Sequence, residues 1–361
     1  MRVVQYGVGA MGGLMLRLLA ERSDISIVGA IDIDPNKVGR DVGDLLQQPA
    51  LNGIQVSSPE TAHELKADVV LHATTAFAAE AYAVVASLAA RGMNVVTITQ
   101  ELFFPLGSNV GVAQQIDRQA KAAGARVTAV GINPGFILDL LPISASSPCW
   151  EVNRVDGRRI VDFSPYGPDE MKHIGAGLTE PDFALGARDG TIGHIGLLET
   201  AGMVAVSMGL EVDELQQTKS AIITSRHRRT SYIEIEPGRV CGFRQSVVGL
   251  SKGDERLRFE MVGILDPDDR DEPLGDRVRI SGSPSVDLVV KEQISQLGGL
   301  GTAAVAVNTI PRLLDAAPGF HTSQQLRTPS IWPKAENHAA TIRTNTTVLG
   351  STCEPVNGNI L

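Results

Sequence analysis

The sequence predicts an α/β protein in two parts. A doubly wound parallel sheet comes first, followed by an α+β domain with an open, mostly antiparallel sheet. Three observations carry this reading. Strand and helix patterns alternate up to about residue 131, as in parallel strands joined by crossover helices. A glycine-rich turn, Gly7-Val8-Gly9-Ala10-Met11-Gly12, joins the first strand to the first helix. Beyond about residue 148, apolar residues alternate with charged ones at period two, as on a half-buried antiparallel sheet.

The first domain is expected over residues 1–140. Val3, Val4 and Tyr6 form the first strand, the apolar stretch 14–19 a helix, and 25–31 a second strand ending at Asp32. Gly7 permits a tight turn, Gly9 lets a pyrophosphate approach the backbone, and Gly12 lets the helix pack on the strand. Ala10 and Met11 open the helix, whose free N–H groups and partial positive charge suit phosphates. Asp32 stands twenty residues past Gly12, where a carboxylate can bind an adenosine ribose. The glycine motif alone is weak. With a strand before it, a helix after it and an acid beyond, it reads as a Rossmann dinucleotide site. Further strands are expected at 68–73, 94–98 and 126–130, with helices at 60–65, 77–90 and 110–123. Ligands of such sheets sit beyond the carboxyl ends of the strands. Those ends hold Thr74 and Thr75, then Gln100-Glu101-Leu102, then Gly131-Ile132-Asn133-Pro134-Gly135-Phe136.

The second domain is expected over 141–328. Ile233 and Ile235, then Leu257, Phe259 and Met261, then Val278 and Ile280 supply the alternation. Helical stretches at 196–208 and 302–315 interrupt it, and the later one is expected to pack back on the first domain. Residues 329–361 read as an irregular tail wrapping the surface or a partner subunit. A homodimer built through the second domain is expected.

The composition narrows the function classes. The chain has 361 residues, 43% hydrophobic and 20% charged, ordinary for a soluble globular protein. With 4% aromatics, the core must be mainly aliphatic. The net charge of -9 and the lack of a basic stripe argue against nucleic acid. Arg226, Arg228 and Arg229 around His227 read as a solvated turn. Cys149, Cys241 and Cys353 are too far apart for a zinc site or a disulfide framework, so a reducing cytoplasm is expected. No stretch of about 18 apolar residues could span a membrane, and no leader pattern precedes the first strand. No metal site is expected, because Glu170 and His173 find no third ligand.

Glu101 is the leading candidate for chemistry. It follows a strand and precedes Leu102, Phe103, Phe104 and Pro105. A carboxylate there can hold positive charge or move a proton; the plainer alternative is a helix cap or a solvated loop acid. Asn133 and Gly135 lie in an expected interdomain hinge. His194, in Gly193-His194-Ile195-Gly196, and Tyr166, on the loop Ser164-Pro165-Tyr166-Gly167, are pocket candidates with equally available structural roles. His72, inside a strand, reads as a buried structural histidine.

Taken in order, several segments resemble 2,4-diaminopentanoate dehydrogenase and the native amine dehydrogenases, which share the dihydrodipicolinate reductase fold. They are the glycine turn, Thr74-Thr75, Gln100-Glu101-Leu102-Phe103, the 131–136 segment, Gly193-His194-Ile195-Gly196-Leu197, Asn308-Thr309-Ile310-Pro311-Arg312 and Pro318-Gly319. The likeness covers roughly 1–328. It implies oxidative deamination of an amine to a carbonyl compound and ammonia, and the reverse reductive amination. The implied cofactor is NAD or NADP, with dual use because Lys37 can offset the charge of Asp32. The family's catalytic glutamate falls on Glu101, and its pocket tyrosine, histidine and threonine on Tyr166, His194 and Thr302, joined by Asn133 and Phe136. Cofactor contacts fall on Gly7, Gly9, Ala10, Met11, Gly12, Asp32, Thr74, Thr75, Asn133 and Gly135.

The departures are informative. The His-His segment and lysine of the dihydrodipicolinate reductases are missing. The Glu-Lys-Pro of sugar and inositol dehydrogenases is replaced by Gln100-Glu101-Leu102. Phe103, Phe104, Phe136, Leu138 and Leu141, without an arginine cluster, suggest a pocket for a small apolar amine rather than a diamino acid. The competing readings are a diaminopentanoate or dihydrodipicolinate reductase-like oxidoreductase, and a non-catalytic cofactor sensor.

Overall fold

A computed structural model describes residues 1–61, 64–292, 294 and 296–334. The chain begins β1 (Arg2–Tyr6), α1 (Ala10–Ala20), β2 (Ser26–Ile31), α2 (Val42–Leu46), β3 (Val56–Ser57), β4 (Val69–His72) and α3 (Ala78–Ala90). It continues with β5 (Asn94–Thr97), α4 (Asn109–Ala123), β6 (Arg126–Ala129) and α5 (Leu140–Ala145). The strands β1, β4 and β5 are continuous buried runs, as expected where helices cover both faces of a parallel sheet.

The second part comprises β7 (Glu151–Asp162), α6 (Pro168–His173), α7 (Glu180–Asp189), α8 (Leu197–Ser207), β8 (Glu214–Ile223), β9 (Arg228–Arg229) and β10 (Glu234–Ile235). It ends with β11 (Val240–Ser251), β12 (Asp254–Ile264), β13 (Gly275–Ser283) and β14 (Val286–Val290). Its six-stranded sheet runs β14-β13-β7-β12-β11-β8. Only the β7–β12 pair is parallel; the other neighbours are antiparallel.

The chain then returns. Helix α9 (Gln296–Leu314) and β15 (Gly319–His321) belong in space to the first sheet, which reads β15-β6-β5-β4-β1-β2-β3 with every pair parallel. Ala303, Ala306, Val307, Ile310 and Leu313 of α9 share one core with Met15 and Leu19 of α1 and with Val3, Val69 and Val96. Helices α3 and α4 cover the opposite face. Residues 296–328, which the sequence assigns to the second domain, therefore complete the first. The near end of the tail follows them: the Arg22 guanidinium lies 3.7 Å over the Trp332 ring, and Trp332 N–H donates to Asn308. The rest of the tail, 335–361, lies outside the described residues.

The basic turn at 226–229 is not a solvated one. Arg228 is buried and binds Asp271, while Arg226 binds Asp266 and Asp268. The cations are neutralised internally, which removes any nucleic-acid patch there.

Inside the second sheet, Arg159 of β7 donates to both Asp276 oxygens of β13 at 2.9 and 2.8 Å. Both side chains are about 4% exposed. Removing one partner leaves the other charge in a poor solvent, at a cost of about 3–5 kcal/mol. Asp276→Asn is thus expected to lower the melting temperature by several degrees. A melt within 1 °C of the parent, read by circular dichroism, would show that the pair carries no such weight.

Candidate active site

The site is built first from the glycine turn. Gly7 has φ +90°, and a Cβ there would strike the Ala73 carbonyl at the end of β4. A Cβ on Gly12 would overlap the Gly7 carbonyl oxygen. Gly9 differs: it is the N-cap of α1, has no side-chain cap bond, and a Cβ there would meet nothing within 4 Å. Open space therefore lies in front of the first N–H groups of α1, flanked by Ala10 and Met11. That is the cradle a pyrophosphate needs, and the residues present fit a dinucleotide.

Asp32, at the end of β2, is buried and ties the turn together. Its Oδ2 accepts from Val8 N–H at 2.7 Å and from Lys37 Nζ at 3.2 Å, and its Oδ1 accepts from Asp34 N–H at 2.9 Å. Burial alone would raise its carboxyl; the Asp34 and Val8 N–H groups and Lys37 outweigh this and hold it below the usual value. The acid reaches the ribose position already paired to a lysine, which reduces its repulsion of a 2′-phosphate.

Beneath the next strand ends runs a directed chain of hydrogen bonds. Thr97 Oγ1 donates to Thr99 Oγ1, which donates to the Thr75 carbonyl. Thr97 must then accept from His72 Nδ1–H at 2.9 Å, so His72 Nε2 accepts from Thr74 Oγ1 at 2.8 Å. Burial pushes the His72 imidazole down to about 4, so it stays neutral. This buried histidine fixes the Thr74 hydroxyl and, through Thr99, the Thr75 backbone. Thr75 itself donates to Glu80 in the first turn of α3.

Glu101 follows β5 in a 3-10 turn, Gln100–Leu102. Its N–H donates to the Ala76 carbonyl at 3.1 Å, and its Oε2 accepts from Ala78 N–H at 2.8 Å. The plainer reading is thus half realised: one oxygen caps α3. The second oxygen is not used in this way, and the side chain is only half-buried. Capping holds the carboxylate next to Thr75, at the strand ends.

The second domain closes over this point through α8. Gly196, which begins α8, packs on Pro134, and a Cβ there would stand 3.3 Å from Gln100 Cβ. One and a half turns on, a Cβ at Gly202 would stand 3.1 Å from Leu106 Cδ2 and 3.4 Å from Phe104 Cδ1. Glu199, between them on the same face, is 7% exposed and lies within the field of Glu101. Desolvation first, and then the Glu101 charge, push its carboxyl up to about 7, against the pull of its own backbone N–H. The next residue, Thr200, donates to Asp139 Oδ2 at 3.1 Å, and the same oxygen accepts from Gly135 N–H at 2.9 Å. Asp139 is wholly buried, and burial pushes it up to about 6 against those donors. It pins the 131–136 segment to α8.

Asn133 and His194 meet here. His194 N–H donates to Gln245 Oε1 at 2.9 Å, and its carbonyl accepts from Gln245 Nε2 at 2.8 Å. Burial pushes its ring down to about 4, although the Asn133 carbonyl favours the charged form. Asn133 Oδ1 and His194 Nδ1 are buried polar atoms with no partner among the described residues. Tyr166 stacks on Phe163, centroids 5.0 Å apart, on the loop before α6 and at the edge of the second core. Phe136 bridges the two cores. Thr302, on α9, follows Gly301, which packs against Ile132. Asn133 and His194 are thus neighbours, and Gly196 joins their segments to the turn that carries Glu101 by packing on Pro134 and Gln100. Phe103 and Leu138, expected to line the pocket, are fully buried in the cores, because neither faces the strand ends. Phe104, Phe136 and Leu141 remain half-buried.

Glu199 and Asp139 went unnoticed in the sequence. The signal for Glu199 was present: it is the only charged residue in the helix LLETAGMVAVS. Among the described residues no cluster suited to a metal ion occurs, and no helix is long and apolar enough to cross a membrane.

Comparison with known proteins settles the family. Residues 136–341 match the model of the 2,4-diaminopentanoate dehydrogenase C-terminal domain. The chain belongs to the 2,4-diaminopentanoate dehydrogenase family. Residues 1–100 match the N-terminal model of dihydrodipicolinate reductase. The 2,4-diaminopentanoate dehydrogenase of Acetoanaerobium sticklandii is 32% identical over 333 residues, 91% of this chain and 94% of that one. The amine dehydrogenase of Streptomyces virginiae is 25% identical, covering 88% and 94%. The solved amine dehydrogenase of Mycobacterium smegmatis superposes with a TM-score of 0.83 at 25% identity, covering 92% and 98%. Within this family, the α/β fold with a dinucleotide-type first domain is common ground.

Gly9 separates binding from folding. Its φ of -85° and the open space around it mean that Gly9→Val should melt as the parent does. The valine would, however, fill the phosphate cradle. NAD(P)H affinity, followed by fluorescence titration, is expected to fall at least 100-fold. Normal affinity in that variant would remove the cradle from this turn.

Proposed function

We propose that the chain is an NAD(P)-dependent amine dehydrogenase that interconverts a small primary amine and a ketone or aldehyde plus ammonia. The carrying observation is the set of groups at the strand ends. Glu101 and Asn133 Oδ1 are acceptors, His194 Nδ1 is a buried polar atom with no partner among the described residues, and no lysine or arginine pairs with Glu101 or Glu199 among the described residues. A site of unfilled acceptors is suited to a ligand that brings N–H donors and positive charge. Phe104, Phe136 and Leu141 offer apolar surface for its carbon body.

When bound, the dinucleotide accepts hydride from the carbon bearing the amine. The protein's own part is electrostatic. Glu101, held by Ala78 N–H, stabilises positive charge developing on the substrate nitrogen. Water then adds to the resulting iminium, and Glu101 accepts its proton. Amine, water and oxidised cofactor thus yield carbonyl compound, ammonia, reduced cofactor and one proton. The lysine-paired Asp32 supports use of both NAD and NADP. The same reading includes a homodimer formed through the second domain. Light scattering at micromolar concentration is expected to give twice 38.3 kDa; particles of 38.3 kDa alone would exclude the dimer.

Glu101→Gln tests the mechanism. The amide oxygen can still cap α3, so folding and cofactor affinity should hold. The charge that stabilises the iminium is gone, and turnover should fall about 10²- to 10³-fold. Steady-state rates with cyclohexylamine or a short alkyl amine decide it. Turnover within a few-fold of the parent would reduce Glu101 to a helix cap.

A further inference from the structure

Glu199 has no place in the mechanism above, yet it occupies the costliest position for a charge in the site. It sits in the first turn of α8, 7% exposed. Gly196 and Gly202, three residues to either side, press on Gln100, Phe104 and Leu106. The same face carries Met203 into the core beneath Leu102 and Phe103. Glu199 is thus aimed at the Glu101 turn by helix periodicity and by contacts on both sides. No cation on the elements packed against α8 is free to pair with it among the described residues. Lys219 of β8 donates to the Ile192 carbonyl and Arg159 of β7 binds Asp276, while Arg244 of β11 and Arg258 of β12 lie on the outer face of the sheet, paired with Glu260, Glu272 and Glu255. Glu101 is the charged neighbour that acts on Glu199.

Glu199 lies buried on the helix face turned towards the 100–106 segment, and desolvation, with the Glu101 charge adding to it, opposes its ionisation. Glu101 is only half-buried and its carboxylate accepts from Ala78 N–H. Of the two carboxyl groups, Glu199 is therefore the one placed to hold a proton.

We propose that Glu199 is the proton-holding partner of Glu101, accepting in its ionised form the proton that Glu101 takes from water during amine oxidation. This rests on the amine dehydrogenase reading. The proton is accounted for throughout: water loses it to Glu101, Glu101 passes it to the Glu199 carboxylate, and Glu199 releases it to solvent as the product leaves. In reductive amination it runs the other way. Oxidation then needs Glu199 ionised, so the rate rises as pH passes through about 7. Above that pH the parent carries an ionised, buried Glu199 within the field of Glu101, and the folded state suffers for it. The folded carboxyl binds its proton more tightly than the unfolded one, so stability falls as pH rises through the same range.

The test compares the parent with Glu199→Gln, with Glu101→Gln as a second variant, in two measurements. The first is the melting temperature from pH 5 to 8, which needs no activity. Glu199→Gln is expected to gain on the parent as pH rises, and Glu101→Gln, which removes the opposing charge, to show a smaller fall than the parent. The second is the pH profile of kcat/KM for amine oxidation. Both enzymes should rise with pH as the substrate ammonium loses its proton, but the parent should gain on Glu199→Gln through about 7, leaving the variant about 10- to 100-fold down at pH 8 with NAD(P)H affinity unchanged. Parallel melting curves for the parent and Glu199→Gln would overturn the carboxylate pair. A melting difference with an unaltered rate limb would overturn the proton role. If the parent oxidised no amine while the melting difference appeared, the pair would stand and the amine reading would fall.

Discussion

The docking of α8 onto the segment after β5 is the contact on which the site depends. It brings a helix of the second domain across the strand ends of the first, and it works only because two glycines face that segment. Gly196 lets the backbone reach Pro134 and Gln100, and Gly202 lets it reach Leu106 and Phe104. Next to Gly202 the helix buries Met203 completely, a side chain worth roughly 1.5–3 kcal/mol when removed from water. Asp139 then joins α8, through Thr200, to the Gly135 backbone. The two domains are thereby fixed to each other at the place where chemistry is expected.

That closure explains the electrostatics. At the adenosine end, the chain supplies its own cation: Lys37 pairs with Asp32. At the other end no cation pairs with Glu101 or Glu199 among the described residues, and Asn133 Oδ1 and His194 Nδ1 are buried without a partner. A neutral His72 fixes the Thr74 hydroxyl between the two ends. The proposed amine or iminium nitrogen answers that unmet electrostatic demand.

The first domain was legible because its signals are local. A glycine turn, buried strand runs and an acid after the second strand each occupy a few adjacent residues. The position of Glu101 was legible in the same way, in the short turn that follows β5. What the sequence hid depends on distant pairings. β15 is three residues long and has no pattern of its own, yet it extends the first sheet by pairing with β6. Phe103 and Leu138 are apolar in sequence whether they line a pocket or fill a core, and only packing separates the two. Arg228 looks solvated until Asp271 is brought beside it, 43 residues on. Glu199 was the readable exception, a lone acid in an apolar helix, but its partner becomes visible only when α8 crosses the domain boundary.

A site made for nitrogen carrying positive charge should tell amines from alcohols. The deciding measurement is reduced-nicotinamide absorbance with oxidised NAD or NADP, comparing primary amines with the alcohols of the same carbon skeleton. Cofactor reduction is expected with the amines and none with the alcohols. Reduction by the alcohols, with the amines inert, would contradict it.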